Sequence, residues 1–146
     1  MKLLDVNLLL YAVNSDSPPH HLARSWIEKV LSEDEPVALP WVVLLAFLRI
    51  ATNGRILTRP LSADQALEVV HGWLSVPSVR VLQAGTEHWR ILRGLLAETG
   101  TGGNLTTDAH LAALAIEHGC ELCSSDRDFL RFPRLKWSNP LQKSDH

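Results

Sequence analysis

Residues 2–13 read KLLDVNLLLYAV, and the order of residue types in them decides the fold. KLLD is a short apolar run that stops on an acid, the pattern of a buried strand ending at Asp5. NLLLYAV, immediately after it, predicts a short helix. A strand that hands straight on to a helix is the repeating unit of layered α/β domains, and the rest of the chain repeats it.

Downstream, Leu22, Trp26, Ile27, Val30 and Leu31 recur at helical spacing, with Pro18 and Pro19 at the entry and SEDE followed by Pro36 at the exit. PVAL predicts a second strand. Residues 41–52 are almost wholly apolar and read as a buried helix stopped by Asn53-Gly54. Ser62 caps a further helix, 63–74, and VRVL (79–82) predicts a third strand. Thr86 is placed to open a helix over 87–99. GTGGN (100–104) is a glycine-rich loop, and LTTDAHLAALAIEHG is a helix with Gly119 at its stop. CELCS, a short helical turn DRDFLRF and LKWS complete the series. Short strands alternating with helices predict an α/β domain with a mainly parallel sheet between helical layers.

The chain has 146 residues, enough for one core and not two, with 46% hydrophobic and 21% charged residues, an ordinary soluble balance. Its net charge of −2 excludes a global basic field, so any nucleic-acid contact must be a local patch. Two cysteines exclude a disulfide framework. The acid at position 5 interrupts any signal-peptide core, and no apolar run reaches the length of a membrane span, so a cytoplasmic protein is expected.

The aspartates carry the chemistry. Asp5 ends the first strand, Asp108 stands in the first turn of the helix after the glycine loop, and Asp126 and Asp128 follow the fourth strand. Each alone suits helix capping. Together they sit where open parallel sheets build sites, beyond the carboxyl ends of the strands. Gathered carboxylates repel one another by roughly 4 kcal/mol per pair at about 4 Å and an effective dielectric near 20, which a cation must offset. Hard oxygen ligands favour Mg²⁺ or Mn²⁺. Such an ion activates water for phosphodiester hydrolysis without a covalent nucleophile.

LLDVNLLLYA, GNLTTDAHLAALAIEHG and LCSSDRDFLRFPRLKWSNPL, in this order across essentially the whole chain, resemble the PIN-domain toxins of the VapC type. The resemblance implies a PIN domain over 1–141 with a loose tail, 142–146. It further implies a three-layer fold with a short central sheet flanked by helices, and a Mg²⁺- or Mn²⁺-dependent endoribonuclease. The expected setting is a homodimer, a cognate antitoxin that blocks the site, and structured transfer or ribosomal RNA as substrate. By position, Asp5, Asp108 and Asp126 match the family's metal-binding acids and Asp128 a supporting acid, the four making the catalytic set. Asn7 matches a polar residue near the first aspartate, and Thr107 or Ser124 could hydrogen-bond a carboxylate or a water. One departure stands out: many PIN domains carry a glutamate on the helix that here reads WVVLLAFLRIATNG, which has no acid. One firmly held ion is therefore expected rather than two.

Arg49, Arg127 and Arg131 lie in basic runs and are candidate phosphate contacts. The five tryptophans, Trp26, Trp41, Trp73, Trp89 and Trp137, are expected in core or dimer packing rather than base stacking. Cys120 and Cys123 lack a second pair for zinc and read as core residues. His110 stands about 200° round its helix from Asp108 and is expected to pack or bind a backbone carbonyl. Two alternatives remain: a catalytically inactive PIN-like module that binds RNA or protein, and a phosphotransferase with Asp5 as nucleophile. The second normally needs a lysine close to the acids, and lysines here are few (Lys2, Lys29, Lys136 and Lys143).

Overall fold

The computed structural model describes residues 1–100 and 103–142. Five strands form one sheet in the order β3-β2-β1-β4-β5, and every pairing is parallel. The strands are β1 (Lys2–Leu4), β2 (Val37–Ala38), β3 (Val79–Arg80), β4 (Glu121–Cys123) and β5 (Trp137–Ser138). Six helices flank them: α1 (Val6–Val13), α2 (His20–Ser32), α3 (Trp41–Ala51), α4 (Ala63–Leu74), α5 (His88–Thr99) and α6 (Thr106–His118). Helix α1 packs on α2 and α3, α3 packs on α4, and α5 pairs with α6.

Burial explains why the strands read as apolar runs. Leu3, Leu4, Ala38, Leu122 and Cys123 are fully buried, as expected for parallel strands covered on both faces. Phe47 of α3 is fully buried and meets Trp73 of α4 edge-on with ring centroids 4.7 Å apart. Cys120 and Cys123 are free, buried core residues, as expected, and burial pushes the Cys123 thiol up to about 11.

Several expectations are corrected. The third strand stops after Arg80 rather than Leu82. Val37 N–H donates to the Ser78 carbonyl and Leu39 N–H to that of Arg80; the next donor in the alternation belongs to Trp41, already in α3. The turn at Pro40 therefore ends the ladder. Helix α5 does not open on Thr86. It starts at His88 without a side-chain cap of its own. Instead Glu117, from the end of α6, accepts the Gly85 and Glu87 N–H groups at 2.8 and 3.0 Å. Ser62 does cap α4, in a reciprocal box with Gln65. Trp73 is a core residue and Trp26 and Trp137 pack against the core cluster; Trp41 and Trp89 are 50% and 68% exposed, which leaves for them only the dimer-packing half of the expectation. His110 packs, as one half of the expectation had it, edge-on against His88 with ring centroids 4.7 Å apart, and its Nδ1 meets His88 Nε2 at 2.9 Å rather than a carbonyl. Of the expected tail 142–146, residues 143–146 lie outside the described residues, as do 101 and 102 of the glycine loop. No helix among the described residues is long and apolar enough to cross a membrane.

Candidate active site

The strand order reverses at β1: the chain moves outward through β2 and β3, then returns to β4 on the other side of β1. At such a switch point the loops beyond the two neighbouring strands part and leave a crevice. Asp5 leaves β1 into this crevice, and Ser124 and Asp126 leave β4 into it.

Asp5 is 7% exposed and held from three sides. Its Oδ1 accepts the Val6 N–H at 2.8 Å, capping α1. Its Oδ2 accepts the Ser124 hydroxyl at 2.7 Å and, more weakly, the Asn7 amide at 3.4 Å. Ser124 Oγ in turn accepts from Asn7 Nδ2 and from the Asp126 N–H, both at 3.0 Å. This fully buried hydroxyl therefore ties the end of β1 to the end of β4. Burial raises the pKa of Asp5, against the hydrogen bonds from Ser124 and Val6, and the charge of Asp126 adds to the rise.

Asp126 caps a 3₁₀ turn, Arg127–Arg131, its Oδ1 accepting the Asp128 N–H at 2.9 Å. Asp108 comes from the first turn of α6 and has no hydrogen-bond partner among the described residues. One carboxylate oxygen each from Asp108, Asp126 and Asp128 lie within 4.8 Å of one another. Burial, then the charges of Asp126, Asp5 and Asp128, push Asp108 up to about 6. The capping role and the cluster thus coexist: Asp5 and Asp126 each spend one oxygen on a helix or turn terminus.

A cavity of about 330 Å³ opens over these acids, lined by Asp5, Asn7, Thr107, Asp108 and Asp126 and, from α3, by Val42, Val43, Ala46, Arg49 and Ile50. Asp128 belongs to the carboxylate group but is exposed and does not line this cavity. Thr107 lines it without a hydrogen bond to an acid among the described residues. Arg49 stands at its edge, exposed and without an ion pair among the described residues. Arg127 is exposed beside the cluster, and Arg131 lies 4.0 Å from Asp128. The α3 wall of the cavity, Val42, Val43, Ala46, Arg49 and Ile50, therefore carries no carboxylate. One supporting contact escaped the sequence reading. Trp137 Nε1 donates to the Ser124 carbonyl at 3.1 Å, fixing the β4 exit from the neighbouring strand; no local pattern announces a bond between residues on different strands.

The arrangement is an acid-lined pocket at the switch point of a parallel sheet, with an all-oxygen donor set. A family model described as PIN domain matches residues 2–135. Ribonuclease VapC33 of Mycobacterium tuberculosis is 45% identical over 143 residues, covering 98% of this chain and all of that protein. Among solved structures, Mycobacterium tuberculosis VapC20, a toxin that cleaves the sarcin-ricin loop, superimposes with TM-score 0.67 at 18% identity over 89% of this chain and 93% of its own. A toxin–antitoxin complex from Klebsiella pneumoniae gives 0.62 at 16% identity over 96% and 98%. The chain belongs to the PIN-domain family and, within it, to the VapC ribonucleases.

Proposed function

We propose that this protein is a divalent-metal-dependent endoribonuclease, the toxic member of a toxin–antitoxin pair in the cytoplasm, acting on structured transfer or ribosomal RNA. The observation that carries the reading is the convergence of Asp108, Asp126 and Asp128 oxygens within 4.8 Å, beside a buried Asp5, in one cleft. The nuclease activity of the VapC relatives supports it, as does the structural likeness to a toxin–antitoxin complex.

The donor set fits a hard cation: all candidate ligand atoms are carboxylate oxygens, and burial, with the neighbouring charges of Asp126, Asp5 and Asp128 adding to it, raises the pKa of Asp108. By family position we assign Asp5, Asp108 and Asp126 as the residues that hold one Mg²⁺ or Mn²⁺, with Asp128 as a supporting acid; Asp5 lines the same cavity as the other two but lies outside the group of oxygens within 4.8 Å, which Asp128 completes. Bound there, the ion supplies an activated water and stabilises charge on the phosphate. Ser124 and Asn7 orient Asp5, and Ser124 also fixes the Asp126 backbone. Thr107, at the cavity wall, is placed to hydrogen-bond a water or a phosphate oxygen. Arg49, Arg127 and Arg131 surround the cleft and contact the RNA backbone, the local patch that a chain of net charge −2 requires. A cognate antitoxin occupies the cleft in the inactive complex, and the active form is a homodimer.

The acid-free face of α3 favours a second reading, an inactive PIN-like module that binds RNA or protein. Cleavage separates the two. Incubated with total RNA, the protein should degrade it in Mg²⁺ or Mn²⁺, and EDTA or Asp5→Asn should abolish the products. Equal cleavage under all conditions, or none with either ion, overturns the nuclease proposal.

A further inference from the structure

Every polar group of Ser124 is engaged. Its hydroxyl holds Asp5, Asn7 and the Asp126 N–H, and its backbone N–H donates to the Ser138 carbonyl at 3.0 Å. Earlier on the same strand, Leu122 N–H donates to the Lys136 carbonyl at 2.8 Å, in the register Leu122↔Trp137 and Cys123↔Ser138. Parallel ladders repeat such bonds at even spacing, so the donor due at the Ser124 carbonyl is the backbone N–H of residue 140. That residue is proline and has none. Ser124 is fully buried, where a carbonyl without a donor is costly. Trp137 supplies the missing bond from its side chain, Nε1–H donating to the Ser124 carbonyl at 3.1 Å. The other end of the same peptide unit is held as well, since Ser125 N–H donates to Asn7 Oδ1 at 3.4 Å.

We propose that Trp137 is a positioning residue for the candidate metal site. Its indole stands in for the ladder donor that Pro140 lacks, fixes the plane of the Ser124–Ser125 peptide, and so sets where Asp126 presents its carboxylate. The role rests on the metal-dependent ribonuclease reading and deepens it by naming a residue outside the cavity that shapes the acid set. A peptide unit is planar, so bonds to its carbonyl and to its N–H together fix the direction in which the chain leaves β4. Asp126 follows directly. Its N–H returns to Ser124 Oγ at 3.0 Å, and its Oδ1 accepts the Asp128 N–H at 2.9 Å. The orientation is thereby passed to Asp126 and Asp128, two of the three acids whose oxygens lie within 4.8 Å of one another. Trp137 does not line the acid-bearing cavity, so it acts on the acids through Ser124. With the donor removed, the Ser124 carbonyl loses its side-chain partner, and the peptide is pinned only at its Asn7 end.

The test measures Mn²⁺ affinity by electron paramagnetic resonance, with urea unfolding alongside, for wild type, Trp137→Phe, Pro140→Ala and the double variant. Trp137→Phe keeps an aromatic ring and loses the donor. It should weaken Mn²⁺ binding about ten-fold, as for other groups that orient metal ligands. Pro140→Ala returns a backbone N–H to the place the ladder assigns it, and alone should leave Mn²⁺ binding unchanged. Combined with Trp137→Phe it should recover most of the lost affinity, which packing cannot explain because the indole is still missing. Affinity of Trp137→Phe within about two-fold of wild type overturns the positioning role. So does a loss that Pro140→Ala leaves uncorrected, which would assign Trp137 to packing alone. A readout in the unsubstituted protein covers a variant that does not fold. The Trp137 indole N–H resonance, followed by heteronuclear NMR, should shift as Mg²⁺ saturates the site, and a resonance that stays in place overturns the proposal. If wild type cleaves RNA while Trp137→Phe binds Mn²⁺ normally, the positioning role fails and the nuclease reading stands. If Trp137→Phe loses Mn²⁺ affinity and Pro140→Ala restores it, but no divalent ion supports cleavage by the wild type, the positioning role stands and the nuclease reading fails.

Discussion

Ser124 Oγ donates to Asp5 Oδ2 at 2.7 Å across 119 residues of sequence, and this bond joins the two strands between which the candidate site opens. The same oxygen accepts from Asn7 and from the Asp126 backbone, so its hydrogen-bonding capacity is full. Ser124→Ala would leave a buried carboxylate short of a donor and release the Asp126 loop. We expect a stability loss of about 1–3 kcal/mol, read as a lower urea midpoint, together with weaker Mn²⁺ binding. An unchanged midpoint and unchanged Mn²⁺ affinity would remove Ser124 from the account.

The charge state of Asp108 sets a pH dependence whose sign can be worked out. Its folded pKa, about 6, lies above the roughly 3.9 of an unfolded aspartate, and Asp5 is shifted the same way by burial. Between those values the native metal-free protein binds more protons than the unfolded chain, so stability falls as pH rises from about 4 to about 6. Asp108→Asn should therefore stabilise the metal-free protein near pH ~7 and have little effect near pH ~4. Urea unfolding in EDTA at the two pH values checks this. Protons also compete with the ion, so Mn²⁺ affinity should fall as pH drops through about 6.

Ala46 faces the acid-lined cavity and is the position on α3 best placed to test why one ion is expected. Ala46→Glu adds a carboxylate to the wall that lacks one. The expected outcome is a Mn²⁺ stoichiometry that rises from one towards two per chain, measured by titration calorimetry. A stoichiometry of two already in the wild type would show that Asp5, Asp108, Asp126 and Asp128 suffice for a pair.

Much of this was legible in the sequence because it is local. The strand–acid–helix order of residues 2–13, the Ser62 cap and the Gly119 stop depend on neighbours along the chain, and the structure places all three where the pattern did. The aspartates were legible because strand ends in a parallel sheet converge on one rim. What stayed hidden was long-range. Glu117 caps α5 from α6, His110 pairs with His88, and Trp137 holds Ser124 from the next strand, each through atoms far apart in sequence. Helical periodicity likewise did not distinguish the exposed Trp41 and Trp89 from the buried Trp73, since amphipathic packing depends on which neighbours arrive.

The layer beneath the site has its own test. Phe47 is fully buried and stacked edge-on against Trp73, one face of the helix that also supplies Ala46 and Arg49. Phe47→Ala should cost about 3–5 kcal/mol, seen in denaturant unfolding. A cost below about 1 kcal/mol would mean that α3 is anchored elsewhere.

The central claim is that aspartates from three separate segments share one divalent ion. Titration of metal-free protein with Mn²⁺, followed by electron paramagnetic resonance of the free ion, measures it directly. The account predicts one saturable site in the wild type and a loss of affinity of at least about ten-fold in each of Asp5→Asn, Asp108→Asn and Asp126→Asn. No saturable binding in the wild type, or binding that all three substitutions leave intact, would contradict it.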